Sequence, residues 1–140
     1  MKTLNNFING KSVPATSGKT SDLINPATGQ VFAKAPISSA TDVDSAMNAA
    51  AKAFEDFRDS TPSERQKALL KIADAIESRA DELVALESEN TGKPLAVTTS
   101  EEIPPMLDQI RFFAGAARNL EGRSAGEYMR GMTSFIRREP

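Results

Sequence analysis

The sequence contains no cysteine, no histidine and no tryptophan, and a single tyrosine. Without cysteine there is no disulfide and no thiolate nucleophile, and without histidine there is no imidazole base. A transition-metal site built from nitrogen or sulfur ligands is excluded for the same reason. These 140 residues therefore hold few routes to covalent chemistry. An excess of one charge is equally missing. The chain has 17 Lys and Arg against 19 Asp and Glu, a formal net charge of −2, with both signs interspersed. That balance provides neither a nucleic-acid footprint nor a patch for an anionic membrane surface. No apolar run approaches the length of a membrane span, and Met1-Lys2-Thr3-Leu4-Asn5-Asn6 lacks the apolar core of a signal peptide. A cytoplasmic address is the expectation. With 39% hydrophobic and 26% charged residues, the composition is that of a soluble globular chain with room for one ordinary domain.

The chain is organised around Thr61 to Leu95, an amphipathic helical stretch with a signal at each end. Thr61 is a natural N-cap, Pro62 suits the first helical position, and Glu64 stands three residues past the cap, where its carboxylate reaches back to the free Thr61 N–H. Leu69, Ile72, Ala73, Ile76, Ala80, Leu83 and Leu86 recur at three- and four-residue spacing and form one apolar stripe. Gly92 and Pro94 predict a stop near Asn90 to Thr91. Ser78-Arg79-Ala80-Asp81 offers a break at which a second helix could be capped.

Upstream lies a small β region of about thirty-five residues. Asn9-Gly10 between short apolar runs predicts a hairpin, because a type I′ turn needs positive φ at both central residues. Ser21 to Ile24 and Val31 to Ala35 read as strands around the turn Asn25-Pro26-Ala27-Thr28-Gly29. Thr41 and Asp44 then have the spacing of a second capping box. Val43, Ala46, Met47, Ala50, Ala53, Phe54 and Phe57 trace one face of the following helix, which suits packing against the long stretch. Arg58-Asp59-Ser60 links the two.

Downstream, Ser100 is the expected cap of a third helix ending near Leu120, with Ile103, Met106, Leu107, Ile110, Phe113, Ala114 and Ala117 on its apolar face. Pro104 and Pro105 are awkward, since proline costs about 3 kcal/mol in a helix interior but little in the first turn. Either the helix starts at Pro105 or its entrance is kinked. Gly122 is the expected stop, and Thr133 to Arg138 is β-prone. Short strands followed by three striped helices make the opening of an α/β plan without the buried central strand of a parallel sheet. Stripes that face nothing do not offset the roughly 1–2 kcal/mol per residue lost in ordering the backbone. The chain therefore reads as part of a larger domain.

Phe7-Ile8-Asn9-Gly10, Asn25-Pro26-Ala27-Thr28-Gly29, Thr91-Gly92-Lys93-Pro94-Leu95, Arg111-Phe112-Phe113-Ala114-Gly115 and Arg138-Glu139-Pro140 follow one another in the order seen at the N-terminus of aldehyde dehydrogenases, which the whole chain resembles. Glu101 to Pro105, Asp108, Arg111 to Arg118 and Ala125 to Tyr128 look most like the γ-aminobutyraldehyde dehydrogenases, relatives of the betaine-aldehyde enzymes. The resemblance implies oxidation of an aminoaldehyde to an amino acid with NAD or NADP. In that family a cysteine thiolate attacks the carbonyl, hydride passes to the nicotinamide, and a glutamate-activated water hydrolyses the thioester. The cysteine, the glutamate base, the oxyanion Asn, the cofactor lysine and the glycine-rich turn are expected beyond Pro140. Neither catalytic nor cofactor-binding residues are therefore expected in this chain, which alone should be inactive.

The resemblance implies the N-terminal portion of the aldehyde dehydrogenase fold, an incomplete α/β domain. Residues 1–122 would belong to the cofactor-binding domain, and 123–140 would begin the oligomerisation sheet through which a homo-oligomer assembles. It also implies two sites. Glu102 falls where aminoaldehyde enzymes often carry an acid for the substrate ammonium, with Pro105 lining the same tunnel mouth. A helix N-terminus attracts acids without any such role. Leu23 and Ile24 would offer carbonyls, and Asn90 a side-chain oxygen, to Na⁺ or K⁺, although Asn90 replaces a carboxylate and could simply cap its helix.

Other features have plainer readings. Lys93 lacks a phosphate-loop frame and reads as a solvated loop lysine. Glycines 115, 122, 126 and 131 do not match a dinucleotide fingerprint. The acid pairs Asp56/Asp59 and Glu87/Glu89 read as solvated helix faces, and Phe112-Phe113 as core packing with a domain contact. The competing function class is a non-catalytic helical interaction or assembly module derived from such a segment.

Overall fold

The computed structural model describes residues 2–119 and 121–136. Strands β2 (Asn6–Ile8) and β3 (Lys11–Val13) form an antiparallel hairpin. Asn9 and Gly10 have φ of +52° and +73° at its turn, the left-handed pair expected of Asn-Gly. Strands β1 (Lys2–Thr3), β4 (Thr20–Ile24) and β5 (Val31–Pro36) form a three-stranded sheet in the order β1-β5-β4, with β1 parallel and β4 antiparallel to β5. Between β4 and β5, Asn25 Oδ1 accepts the Ala27 N–H at 2.9 Å and Gly29 takes positive φ. That is an Asx turn, and it closes the strand pair.

Helix α1 (Ala40–Phe57) starts earlier than expected. Its capping box is Ser39 with Asp42, not Thr41 with Asp44. Both pairs have the right spacing, so local sequence does not separate them. Asp42 wins because its carboxylate also accepts the Thr16 N–H at 3.1 and 3.2 Å and the Thr16 hydroxyl at 3.1 Å, from a loop 26 residues away. The Ser39 N–H, 2.7 Å from Asp42 Oδ2, is the first cause holding the Asp42 carboxyl below its ordinary range.

The central stretch is two helices, α2 (Pro62–Glu77) and α3 (Ala80–Thr91). The Thr61–Glu64 box is formed, with the Thr61 N–H 2.7 Å from Glu64 Oε2. The break falls at Ser78-Arg79, but Ser78 caps nothing after it, since its hydroxyl donates back to the Ala75 carbonyl. Arg79 is the N-cap of α3, without a side-chain cap bond. Gly92, at φ +76°, ends α3.

The third helix also departs from expectation. It begins as α4 (Leu95–Val97), widens into a π turn over Thr98–Glu102 and continues as α5 (Ile103–Ala116). Ser100 lies inside the π turn, its hydroxyl on the Ala96 carbonyl, and caps nothing. Pro104 and Pro105 explain the wide turn. They have no N–H to give the carbonyls four residues back, and their rings crowd those carbonyls. The π turn moves the pairing one residue on, with Ile103 N–H donating to Thr98 O, and leaves both prolines in the first turn of α5.

Helix α5 stops at Ala116, before Gly122. Gly122 serves a close approach instead, for a Cβ there would stand 2.9 Å from the Ile136 carbonyl oxygen. Strands β6 (Ser124–Met129) and β7 (Met132–Phe135) then form a hairpin. Arg138-Glu139-Pro140 and Leu120 lie outside the described residues, as do Arg137 and Arg138 of the expected last strand.

The main helix contact is α2 against α5. Ala73 and Ala114 are fully buried on these helices, with Leu107 nearly so. Arg111 Nη2 bridges α5 to α2 by donating to Asp74 Oδ1 at 3.1 Å and to Glu77 Oε2. Helix α1 packs chiefly on β2 and not closely on the central stretch, which leaves Val43, Met47 and Phe57 more than half exposed. Phe112 and Phe113 touch edge to face but are both exposed, so neither packs a core among the described residues. The molecule exposes 10810 Å², whereas a compact monomer of this mass exposes about 7,000 Å². The domain is incomplete in that measurable sense.

Candidate functional site

Glu87, Lys93 and Glu102 meet where α3, the segment after it and the π turn come together. Gly92 both reverses the chain and lies against the Asn25–Gly29 turn, where an added Cβ would stand only 2.9 Å from Pro26 Cγ. This contact brings the neighbourhood of Leu23 and Ile24 to the end of α3. Leu23 is half-buried and Ile24 exposed, at a register irregularity in the β4–β5 pairing. Asn90 lies in the last turn of α3 and is exposed. The cap of that helix is Gly92, so capping is not the task of Asn90.

Beyond Gly92 the chain presents Lys93, which is half-buried and shared by two carboxylates. Its Nζ lies 3.0 Å from Glu87 Oε1 on α3 and 2.9 Å from Glu102 Oε1 in the π turn. Glu102 Oε2 is 3.0 Å from the same nitrogen. The hydrogen bond to Glu102, then that to Glu87, raises the Lys93 pKa above its ordinary value. Lys93 remains a partly solvated loop lysine and Glu87 a partly solvated helix residue, but the two are also joined with Glu102 in one cluster. Position 93 is four residues after Glu89, a spacing that would pair them on a helix. The helix ends at Thr91, however, so Lys93 turns to Glu87 and Glu102.

Glu102 is half-buried and already has this cationic partner. Pro105 is exposed in the first turn of α5, three residues further on. Thr98, which sequence reasoning missed, is the buried first residue of the π turn, with its hydroxyl on the Pro94 carbonyl. A threonine four residues after the proline that opens a helix is the only signal that could have found it. The cluster therefore holds two carboxylates and one ammonium, a surplus of one negative charge at a partly solvated junction. Such an arrangement attracts a second cation, though with modest strength where water screens it. Among the described residues, no group of three or more acidic, histidine or cysteine side chains is arranged to hold a metal ion.

The model of the Aldehyde dehydrogenase family matches residues 13–140. The chain belongs to that family. It is 40% identical over 117 residues to a long-chain-aldehyde dehydrogenase of Acinetobacter sp, covering 84% of this chain and 23% of that protein. It is 41% identical over 113 residues to the 2-aminomuconic semialdehyde dehydrogenase of Danio rerio, covering 81% and 23%. Its fold resembles the crystal structure of an NAD-dependent aldehyde dehydrogenase from Sinorhizobium meliloti, with a TM-score of 0.84 at 36% identity over 93% of this chain and 26% of the other. The chain thus spans about a quarter of the length of the relatives it matches. The described elements are the N-terminal part of the aldehyde dehydrogenase fold. Among the described residues no helix is long and apolar enough to cross a membrane.

Proposed function

We propose that the chain is the N-terminal part of an NAD(P)⁺-dependent aldehyde dehydrogenase that oxidises an aminoaldehyde of the γ-aminobutyraldehyde kind to its amino acid. The observation that carries the enzyme reading is the family match over residues 13–140, supported by the likeness to the NAD-dependent enzyme from Sinorhizobium meliloti. The aminoaldehyde reading rests on Glu102. Its half-buried carboxylate lies in a cluster with one surplus negative charge, suited to a substrate ammonium, and the resemblance to the aminoaldehyde enzymes implies that it borders the aldehyde tunnel with Pro105.

The chain supplies a binding wall rather than reacting groups, because it holds no cysteine. Gly115 is within α5, Gly122 abuts the Ile136 carbonyl and Gly131 forms the β6–β7 turn, so none of these three lies in a strand-to-helix turn. On the family resemblance, NAD(P)⁺, which accepts the hydride when bound, is assigned to the remainder of the enzyme. We further assign residues 1–122 to the cofactor-binding domain and 123–140 to the oligomerisation segment, where Met129, Met132, Phe135 and Ile136 are exposed for a second subunit. The Leu23 and Ile24 carbonyls with the Asn90 side-chain oxygen are a weakly built monovalent-cation site, since no carboxylate stands at position 90. The enzyme is assigned to the cytoplasm.

In the complete enzyme, Glu102→Gln is expected to raise the KM for an aminoaldehyde about fivefold, the worth of one ion pair near water, while a neutral aldehyde of equal length keeps its KM. Equal effects on both substrates would refute the role of Glu102. An intact native mass several-fold above 15.0 kDa, detected through a Thr61–Leu95 peptide, is expected for the enzyme. A mass near that value would favour the assembly module.

A further inference from the structure

We propose that Lys93 is a specificity-determining residue, an internal cation that competes with the substrate ammonium for Glu102 and is restrained by Glu87. The inference rests on the reading that Glu102 meets an aminoaldehyde. Its own ground is the geometry of one ammonium placed between two carboxylates from separate elements. Lys93 Nζ is 3.0 Å from Glu87 Oε1 and 2.9 Å from Glu102 Oε1, so neither partner holds it exclusively.

Two consequences follow from that placement. Lys93 occupies the Glu102 oxygens that an incoming ammonium would use, both of which lie within hydrogen-bond distance of Nζ. It can yield them without becoming unpaired, because Glu87 remains on α3 to hold it. The exchange thus strands no charge, which is what makes displacement affordable at a half-exposed junction. Lys93 and Glu87 therefore pull on substrate affinity in opposite directions. Lys93 weakens the hold of Glu102 on a cation, and Glu87 strengthens it by drawing Lys93 away. A cluster that served only to fasten α3 to the π turn would respond with the same sign to loss of either member.

The readout is the ratio of KM for an aminoaldehyde to KM for a neutral aldehyde of equal length, in the complete enzyme, alongside kcat. Lys93→Met is expected to lower this ratio about two- to fivefold, and Glu87→Gln to raise it by a similar factor, the size an exposed ion pair supports. Lys93→Arg, which keeps the cation, should hold the ratio near that of the parent. If both variants move the ratio the same way, or neither moves it while Glu102→Gln does, competition by Lys93 is overturned and the role of Glu102 survives. If Glu102→Gln is itself without selective effect, the aminoaldehyde reading falls and this inference falls with it.

Discussion

Gly92→Ala tests how tightly the end of α3 packs on the Asn25–Gly29 turn. The cost has two separable parts. At φ +76° any L residue is strained, by about 1–2 kcal/mol. The new Cβ would also stand 2.9 Å from Pro26 Cγ and 3.6 Å from Pro26 Cβ. Overpacking of that kind costs about 1–3 kcal/mol, for a sum of about 2–5 kcal/mol. Gly10→Ala provides the control, since Gly10 has φ +73° and nothing within 4 Å of an added Cβ. Only the backbone part applies there. Urea unfolding followed by circular dichroism should therefore show Gly92→Ala to be worse by about 1–3 kcal/mol. Pro26→Ala removes the Cγ and leaves an ordinary contact, so the Pro26→Ala/Gly92→Ala pair should be less destabilised than the sum of the single variants. Equal costs at positions 10 and 92, or strict additivity with Pro26→Ala, would show that Pro26 does not press on Gly92.

Ala114→Leu places three extra carbons at a fully buried position and should destabilise by about 1–3 kcal/mol in the same assay; a neutral result would mean that α5 does not pack closely on α2. The capping carboxylates predict an acid limb. Asp42 and Glu64 both titrate below their ordinary values of 3.8 and 4.5, chiefly because each accepts the N–H of its own cap residue. Their folded pKa values are depressed, so this stabilisation is complete above the ordinary values and is lost as pH falls through the lower folded ones. Glu64→Gln keeps the box geometry without the titration and should flatten the loss of helicity below pH 4.5; an unchanged acid limb would assign it elsewhere. The isolated chain, with Val43, Met47, Phe57, Phe112 and Phe113 exposed, should bind an apolar dye and self-associate. A monomer without dye uptake would contradict the exposed faces.

What was legible in the sequence was whatever local spacing decides. The Thr61–Glu64 box, the Asn9-Gly10 hairpin and the end of α3 at Gly92 depend on residues within a few positions of one another. Where two local solutions were equivalent, a distant group chose between them, as Thr16 does in selecting Asp42 over Asp44. The Pro104-Pro105 problem was visible but its solution was not, because a π turn is one of several ways to begin a helix around two prolines. The pairing of Lys93 was not legible for a related reason. Its partners are six residues before it and nine after it, on elements whose meeting depends on how Gly92 folds the chain back. The stripe on α1 was read correctly as apolar, but spacing says nothing of what it faces, and Val43, Met47 and Phe57 stay more than half exposed while α1 packs chiefly on β2.

The π turn also sets a phase. An α-helix advances about 100° per residue, so the one residue by which the turn widens the spiral fixes the rotation of α5 relative to α4. With that phase, Leu107 and Ala114 are buried and Arg111 reaches Asp74 and Glu77. At the opposite end, Glu102 faces Lys93. Shortening the turn by one residue would leave the composition of the helix almost untouched but would put its two ends out of step. If α4 kept its seat beside α3, Leu107 would swing off α2 and the charged Asp108 would move toward that face. If α5 kept its seat, Glu102 would turn away from Lys93. The turn is the joint that allows the small apolar contact and the charged junction to be satisfied by one helix.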